Sequence, residues 1–279
     1  MLKHRLLSAF IIVAVTIGAL YLPSVLKLPI LLFVCVVGMW EYHALLGRAR
    51  VPHYPVTGLV GGCLLITATW ISLQYGNRVF NGGVEAGVTA LILMGLFLRQ
   101  FMKPDSERPM EAMAATFFGV MYVAFLLNFI GKLLMAWEVH EGRALFVYLL
   151  VVVKFADSGA YFIGCAVGRH KLIPRISPAK TWEGCIGGVL TAVIASQVYL
   201  WWTDHALGPV TLSRTEGIVL AVLLAVSGIL GDLGESFIKR AADVKDSGRW
   251  IHGMGGALDV LDSLLFAAPV LYVFVKCMA

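Results

Sequence analysis

Charge is what this sequence has least of. Asp, Glu, Lys and Arg make up only 14% of its 279 residues, where a soluble domain carries about a quarter. Hydrophobic residues reach 59%, and the mean hydropathy is +0.84. No soluble fold of this length has an interior that could hide so many apolar side chains, so lipid must be the solvent for most of them. Paired cysteines are missing too. Cys35, Cys63, Cys165, Cys185 and Cys277 include no CxxC spacing, and most lie in apolar runs. This argues against a zinc site or disulfide framework and for small core residues in a reducing or lipidic setting. The chain has no Walker or dinucleotide glycine fingerprint, no HExxH and no GxSxG. These absences set aside the common nucleotide-loop, zinc-protease and serine-hydrolase chemistries. There is no internal repeat and no low-complexity tract.

Long apolar runs are what is there. They occur at about 6–22, 29–46, 56–75, 85–102, 110–130, 144–167, 185–202, 215–231 and 257–277, each long enough for a membrane-crossing helix. The first run exceeds a signal-peptide core and lacks a small-residue cleavage site, so a retained helix is expected. Prolines, glycines and charges break the runs, as at Pro23, Gly47–Pro52, Gly76–Arg78 and Lys103–Pro109. With a cytoplasmic N-terminus and nine alternating helices, most of the 22 Lys and Arg fall on the cytoplasmic side. They include Lys3, Arg5, Arg48, Arg50, Arg169, Lys171, Arg175, Lys180, Lys239, Arg240, Lys245 and Arg249. Lys27, Arg78, Lys132, Arg143, Arg214 and Lys276 fall on the other side. That asymmetry is the positive-inside pattern. The net charge of +5 therefore speaks for anionic lipid headgroups and not for nucleic acid. The expected fold is an all-α polytopic membrane protein of about nine transmembrane helices with its N-terminus in the cytoplasm. It forms a single integral membrane domain over 1–279, with N-terminal helices in 1–143 and the chemistry in 144–279.

Three segments concentrate that chemistry. Lys154 and Asp157 sit three apart inside an apolar run, on one helix face, either as a buried ion pair or facing a polar cavity. In 168–184, Arg169, Lys171, Arg175 and Lys180 alternate with apolar residues, and Ser177, Lys180, Thr181 and Glu183 crowd the entrance of the next span. Cations and hydroxyls at a helix N-terminus suit a polyphosphate. In 231–262, Asp232, Ser236, Lys239 and Asp243 follow helical spacing and would share a face, while Asp259 and Asp262 share one at the mouth of the last span. Converging carboxylates flanked by Lys and Arg suit a hard cation with phosphate substrates, the requirement of phosphoryl and nucleotidyl transfer. The alternative is a salt-bridged loop. His170 and His252 are neighbours of these segments, not ligands.

The run Ser236-x-x-Lys239-Arg240-x4-Lys245-Asp246-Ser247-Gly248, then Gly-x-Gly-Gly, then Asp259-x-x-Asp262-Ser263, resembles the signature of the phosphatidate cytidylyltransferases (CDP-diacylglycerol synthases). Asp157–Tyr161 and Ile176–Gly184 resemble that family's upstream motifs. The resemblance implies a membrane enzyme that makes CDP-diacylglycerol and pyrophosphate from CTP and phosphatidic acid with Mg²⁺, a second cation being left open. It implies Asp157, Asp232, Asp246 and Asp259 as metal ligands, and Lys239, Arg240, Asp246 and Ser236 as catalytic residues. It implies Ser177, Lys180, Thr181 and Lys245 at the nucleotide. It also implies a bacterial inner-membrane location with the active site facing the cytoplasm; a homodimer is left open. Two positions depart from the family pattern. Met254 stands where the family has His in Pro-Gly-His-Gly-Gly, and Val260 where it has Arg in Asp-Arg-x-Asp. His252 lies nearby. These departures leave open a divergent member with another lipid phosphate or reduced activity. An ion transporter would need charges spread through the bilayer depth, whereas here they gather at one interface.

Overall fold

The computed structural model describes residues 18, 20–75, 83–102, 108–248 and 255–279. Among them, eight helices are long and apolar enough to cross a membrane. They are α1 (Ser24–Arg48), α2 (Pro55–Tyr75), α3 (Gly83–Met102), α4 (Pro109–Met135), α5 (Val139–Val167), α6 (Trp182–Trp202), α7 (Arg214–Ala241) and α8 (Ala257–Met278). They match the second to ninth expected spans one for one; the first, 6–22, lies almost wholly outside the described residues. The chain is an all-α polytopic integral membrane protein, with two short β-hairpins added between spans.

Local chemistry explains where the helices begin. Pro109 opens α4 after Arg108, where a missing N–H costs nothing. Glu138 and Glu141 form a capping box at α5. Thr181 accepts the Gly184 N–H at 3.1 Å to cap α6. Ser213 and Glu216 bond reciprocally ahead of α7. Within α4, Val120–Phe125 is π-helical.

The chain divides into two compact units. One comprises residues 1–131 and 241–260, the other 132–240 and 261–279. This boundary differs from the division at residue 143 drawn from the motifs: 132–143 joins the later helices, and 241–260 joins the early ones.

In the first unit α1, α2 and α4 surround a core that includes Cys35, Met39, Leu65, Ile66 and Ala124. Tyr42 donates its hydroxyl to the Ala115 carbonyl at 2.9 Å. A buried polar triad also lies here. Asn128 Nδ2 donates to Thr69 Oγ1 at 2.7 Å and to Glu85 Oε1 at 3.2 Å, and Thr69 Oγ1 donates to Glu85 at 3.0 Å. With no water in the hydrocarbon core, such groups must satisfy one another.

In the second unit α5 and α6 pack backbone to backbone. The outer face of α6 shows Trp182, Ile186, Leu190, Ile194 and Val198 at four-residue spacing, all exposed to what would be lipid. Its inner face is Gly184, Gly187, Gly188, Ala192 and Ala195. A soluble helix has the reverse pattern. Small residues let helix backbones meet where no hydrophobic effect draws them together. A methyl group on Gly188 would lie 2.8 Å from the Ala156 carbonyl oxygen, and one on Gly184 would lie 2.8 Å from that of Ala160. Gly188→Leu is expected to force α5 from α6 and cost at least about 2 kcal/mol. Unfolding of the purified protein in detergent, compared with a lipid-facing Leu190→Ala control, measures this.

Two hairpins complete the second unit. β1 (Lys171–Ile173) pairs antiparallel with β2 (Ser177–Thr181), with Lys171 opposite Thr181. β3 (Ala206–Leu207) pairs with β4 (Val210–Thr211) across Gly208, whose φ of +58° needs no side chain. Arg240 Nε donates to the Ile176 carbonyl at 3.2 Å and ties the first hairpin to the end of α7.

Candidate active site

The second unit gathers most of the predicted charged residues. Lys154 Nζ donates to Asp157 Oδ2 at 3.1 Å, one helical turn along α5, as the i,i+3 spacing predicts. Ser263 Oγ lies between two carboxylates, 3.3 Å from Asp157 Oδ1 and 3.2 Å from Asp262 Oδ1. Ser263 also donates its N–H to Asp262 Oδ1 at 2.6 Å. Asp262 is only 7% exposed and lies within electrostatic reach of Asp232, Lys154 and Asp157. Lys180 Nζ bonds Asp232 Oδ2 at 2.8 Å, and Ser236 Oγ approaches Asp232 Oδ1 at 3.4 Å. Asp157, Lys180, Asp232 and Ser236 thus share one polar neighbourhood with Asp262 and Ser263. Asp262 is one of the carboxylates expected at the mouth of the last span, and Ser263 follows it in the motif.

Other predicted residues take local structural partners. The Thr181 hydroxyl, expected at the nucleotide, is buried and caps α6. Ser177 opens β2 and is half-buried. Glu183 accepts the Arg169 and His170 N–H groups and meets His170 Nδ1 at 2.6 Å, closing the base of the hairpin. Lys239 Nζ reaches back one turn to the buried Glu235 at 2.7 Å. That acidic partner was missed, although Glu–Lys at i,i+4 is a readable signal. Asp243 corrects the expected helix face: α7 ends at Ala241, and Asp243 has φ +53° in the turn beyond, so it does not share the face of Asp232 and Ser236.

In the first unit, Lys245 and Asp246 are exposed in the segment after α7. Asp259 Oδ2 accepts from the Ser247 N–H at 2.9 Å, from Ser247 Oγ at 2.8 Å and from the Gly256 N–H at 2.7 Å. Its carboxylate therefore joins Ser247 to Gly256 at the start of α8. His252 and Met254 lie outside the described residues; Val260 is in the first turn of α8.

The sequence profile of the Cytidylyltransferase family matches residues 3–278. The chain belongs to this family. It is 33% identical to "Phosphatidate cytidylyltransferase" of Haemophilus influenzae, over 96% of this chain and 96% of that protein. It is 30% identical to the Bacillus subtilis protein of the same name, over 97% and 96% of the two chains. A Thermotoga maritima protein of that name is 34% identical over 68% of each chain.

A cytidylyltransferase handles a triphosphate, for which a hard divalent cation is the usual counter-ion. The carboxylates of Asp157, Asp232 and Asp262, with the Ser263 hydroxyl, are donors of the type such an ion takes. In the present arrangement Lys154 and Lys180 lie against two of these carboxylates, and no three acidic, His or Cys side chains gather as a ligand set among the described residues.

Proposed function

We propose that this cytidylyltransferase transfers the cytidylyl group of CTP to phosphatidic acid, giving CDP-diacylglycerol and pyrophosphate. The observation that carries this reading is the joining of Lys154, Asp157, Lys180, Asp232 and Asp262 within one unit of a mostly apolar bundle. Ionisable groups in a membrane span are costly and mark a working site. The curated relatives supply the lipid in the reading, since their names specify phosphatidate.

In this reaction an oxygen of the phosphatidate monoester attacks the α-phosphorus of CTP. A new P–O–P linkage forms, the α–β bridging P–O bond breaks, and pyrophosphate leaves with the electron pair. The protein's task is positioning and charge neutralisation. Lys180, held at 2.8 Å from Asp232, is placed to exchange that carboxylate for a nucleotide phosphate. Lys239 and Arg240 at the end of α7 are proposed to hold phosphate oxygens, with Ser236 beside them, and Ser177 is a proposed contact of the nucleotide. A bound Mg²⁺ supplies further neutralisation of the triphosphate. Asp157 with Asp232 in one unit, and Asp246 with Asp259 in the other, are the carboxylates proposed to hold such ions. CTP is a cytosolic metabolite, so the site is proposed to face the cytoplasm of a bacterial inner membrane, with the lipid entering from the leaflet.

The experiment is pyrophosphate release by purified protein with CTP, Mg²⁺ and phosphatidate in mixed micelles. Wild-type protein is expected to release pyrophosphate only when all three are present, and Asp232→Asn is expected to lower the rate at least about 100-fold. Undiminished release by Asp232→Asn, or release independent of the lipid, contradicts the reading. Other lipid phosphates run in parallel show whether Met254 and Val260 have redirected the enzyme.

A further inference from the structure

Glu41 takes no part in the motifs, yet its buried carboxylate is held by hydrogen bonds from residues distant in the chain. It sits in α1, in a run that is otherwise mostly apolar, and is 1% exposed. A charge in that place is expensive unless its hydrogen bonds are supplied. Two backbone donors supply them and a serine hydroxyl lies close by, all more than 200 residues away in sequence. Oε1 accepts the Ala257 N–H at 2.9 Å; Oε2 accepts the Leu258 N–H at 2.9 Å and approaches Ser247 Oγ at 3.2 Å. Ala257 and Leu258 are the first residues of α8, so Glu41 places an anion on that helix's free N–H groups and positive dipole end.

Ser247 links this anchor to the motif. Its hydroxyl has one proton and two carboxylate neighbours, Glu41 at 3.2 Å and Asp259 at 2.8 Å. The shorter approach assigns the proton to Asp259. The same Asp259 oxygen takes the Ser247 and Gly256 N–H groups. Two motif glycines are explained by the same group. A methyl on Gly256 would lie 2.5 Å from both Glu41 oxygens, and one on Gly248 would meet Glu41 Oε1.

We propose that Glu41 is the positioning residue that holds the Ser247 loop and the start of α8, and through them Asp259 and the adjoining Lys245–Asp246, in the arrangement that cytidylyl transfer requires. The effect on catalysis rests on the reaction proposed above; the effect on the loop does not. Glu41 acts through Ser247 and α8 and is not a catalytic residue. It also fills the α8 N-terminus, so substrate phosphate binds elsewhere.

Glu41→Gln tests this in full-length protein in lipid nanodiscs. Gln keeps the shape but replaces one acceptor oxygen with a donor, so one of the two backbone bonds is lost. Amide exchange in peptides covering 247–248 and 255–260 is expected to quicken at least about tenfold, with other helices unchanged. The kcat for cytidylyl transfer is expected to fall about 10–100-fold with the phosphatidate KM within about twofold, and Glu41→Asp, which keeps both acceptor oxygens, to regain part of it. Glu85→Gln, also buried in the same unit but bonded to Thr69 and Asn128, is the control and is expected to change neither readout. Unchanged exchange in Glu41→Gln, an unchanged kcat, or an equal loss in Glu85→Gln overturns the proposal. If wild-type protein transfers nothing from CTP, the reaction is wrong, and the exchange result alone decides whether Glu41 holds the segment.

Discussion

Lys180→Ala is expected to slow cytidylyl transfer at least about 100-fold while leaving the protein folded. Lys180 lies in β2, one residue before Thr181, which ends that strand and caps α6, so its backbone is fixed by both the hairpin and the helix. Its side chain is 19% exposed and its partner Asp232 is 37% exposed, with 2.8 Å between the charged atoms. A pair that solvent still reaches contributes about 1 kcal/mol or less to stability. The same ammonium facing a triphosphate stabilises charge that develops in the transition state, and that effect is far larger. Activity is therefore expected to fall much further than the unfolding temperature. Adding Asp232→Asn separates two explanations. If Lys180 served only to neutralise Asp232, the double variant would recover activity. If both groups handle phosphate or its counter-ion, it stays as inactive as the worse single variant. Initial rates and thermal unfolding of the three variants measure this.

Gly256→Ala is expected to disrupt the seat of Glu41 ahead of α8. The added carbon would lie 2.5 Å from both oxygens of Glu41 and would also meet Ser247 Oγ. Glu41 is buried and cannot swing into water, so either the carboxylate leaves the Ala257 and Leu258 N–H groups or the start of α8 moves. Overpacking and lost charge-assisted bonds together are expected to cost about 3 kcal/mol, and activity is expected to fall about 100-fold. Shortening the acid relieves the crowding: Glu41→Asp combined with Gly256→Ala is expected to be more stable than Gly256→Ala alone. Unfolding in detergent and label transfer from CTP read both effects, and an additive double variant would contradict the contact.

The spans were legible because lipid demands long apolar runs, and eight of the nine appear where hydropathy puts them. The Lys154–Asp157 pair and the Asp232–Ser236 face were legible because each depends on neighbours three or four residues away. Asp243 was misplaced for the same reason. Helical spacing continues past Ala241, but the backbone turns into a positive φ at Asp243. Lys180–Asp232 joins residues from two elements, and no local pattern announces which carboxylate a lysine will choose. Glu41 is the furthest case. A lone acid between Trp40 and Tyr42 in an apolar run is itself a signal, but its donors lie at 247, 257 and 258. Only the folded chain shows that the glycines of the motif make room for it.

The central claim is that this protein moves a cytidylyl group, and the position of the label in CTP tests that most directly. Purified protein is given phosphatidate, Mg²⁺ and CTP labelled on either the α- or the γ-phosphate. The account predicts that α-label enters the lipid fraction and γ-label leaves as pyrophosphate. Entry of γ-label into lipid, or no lipid labelling from either form, would contradict it.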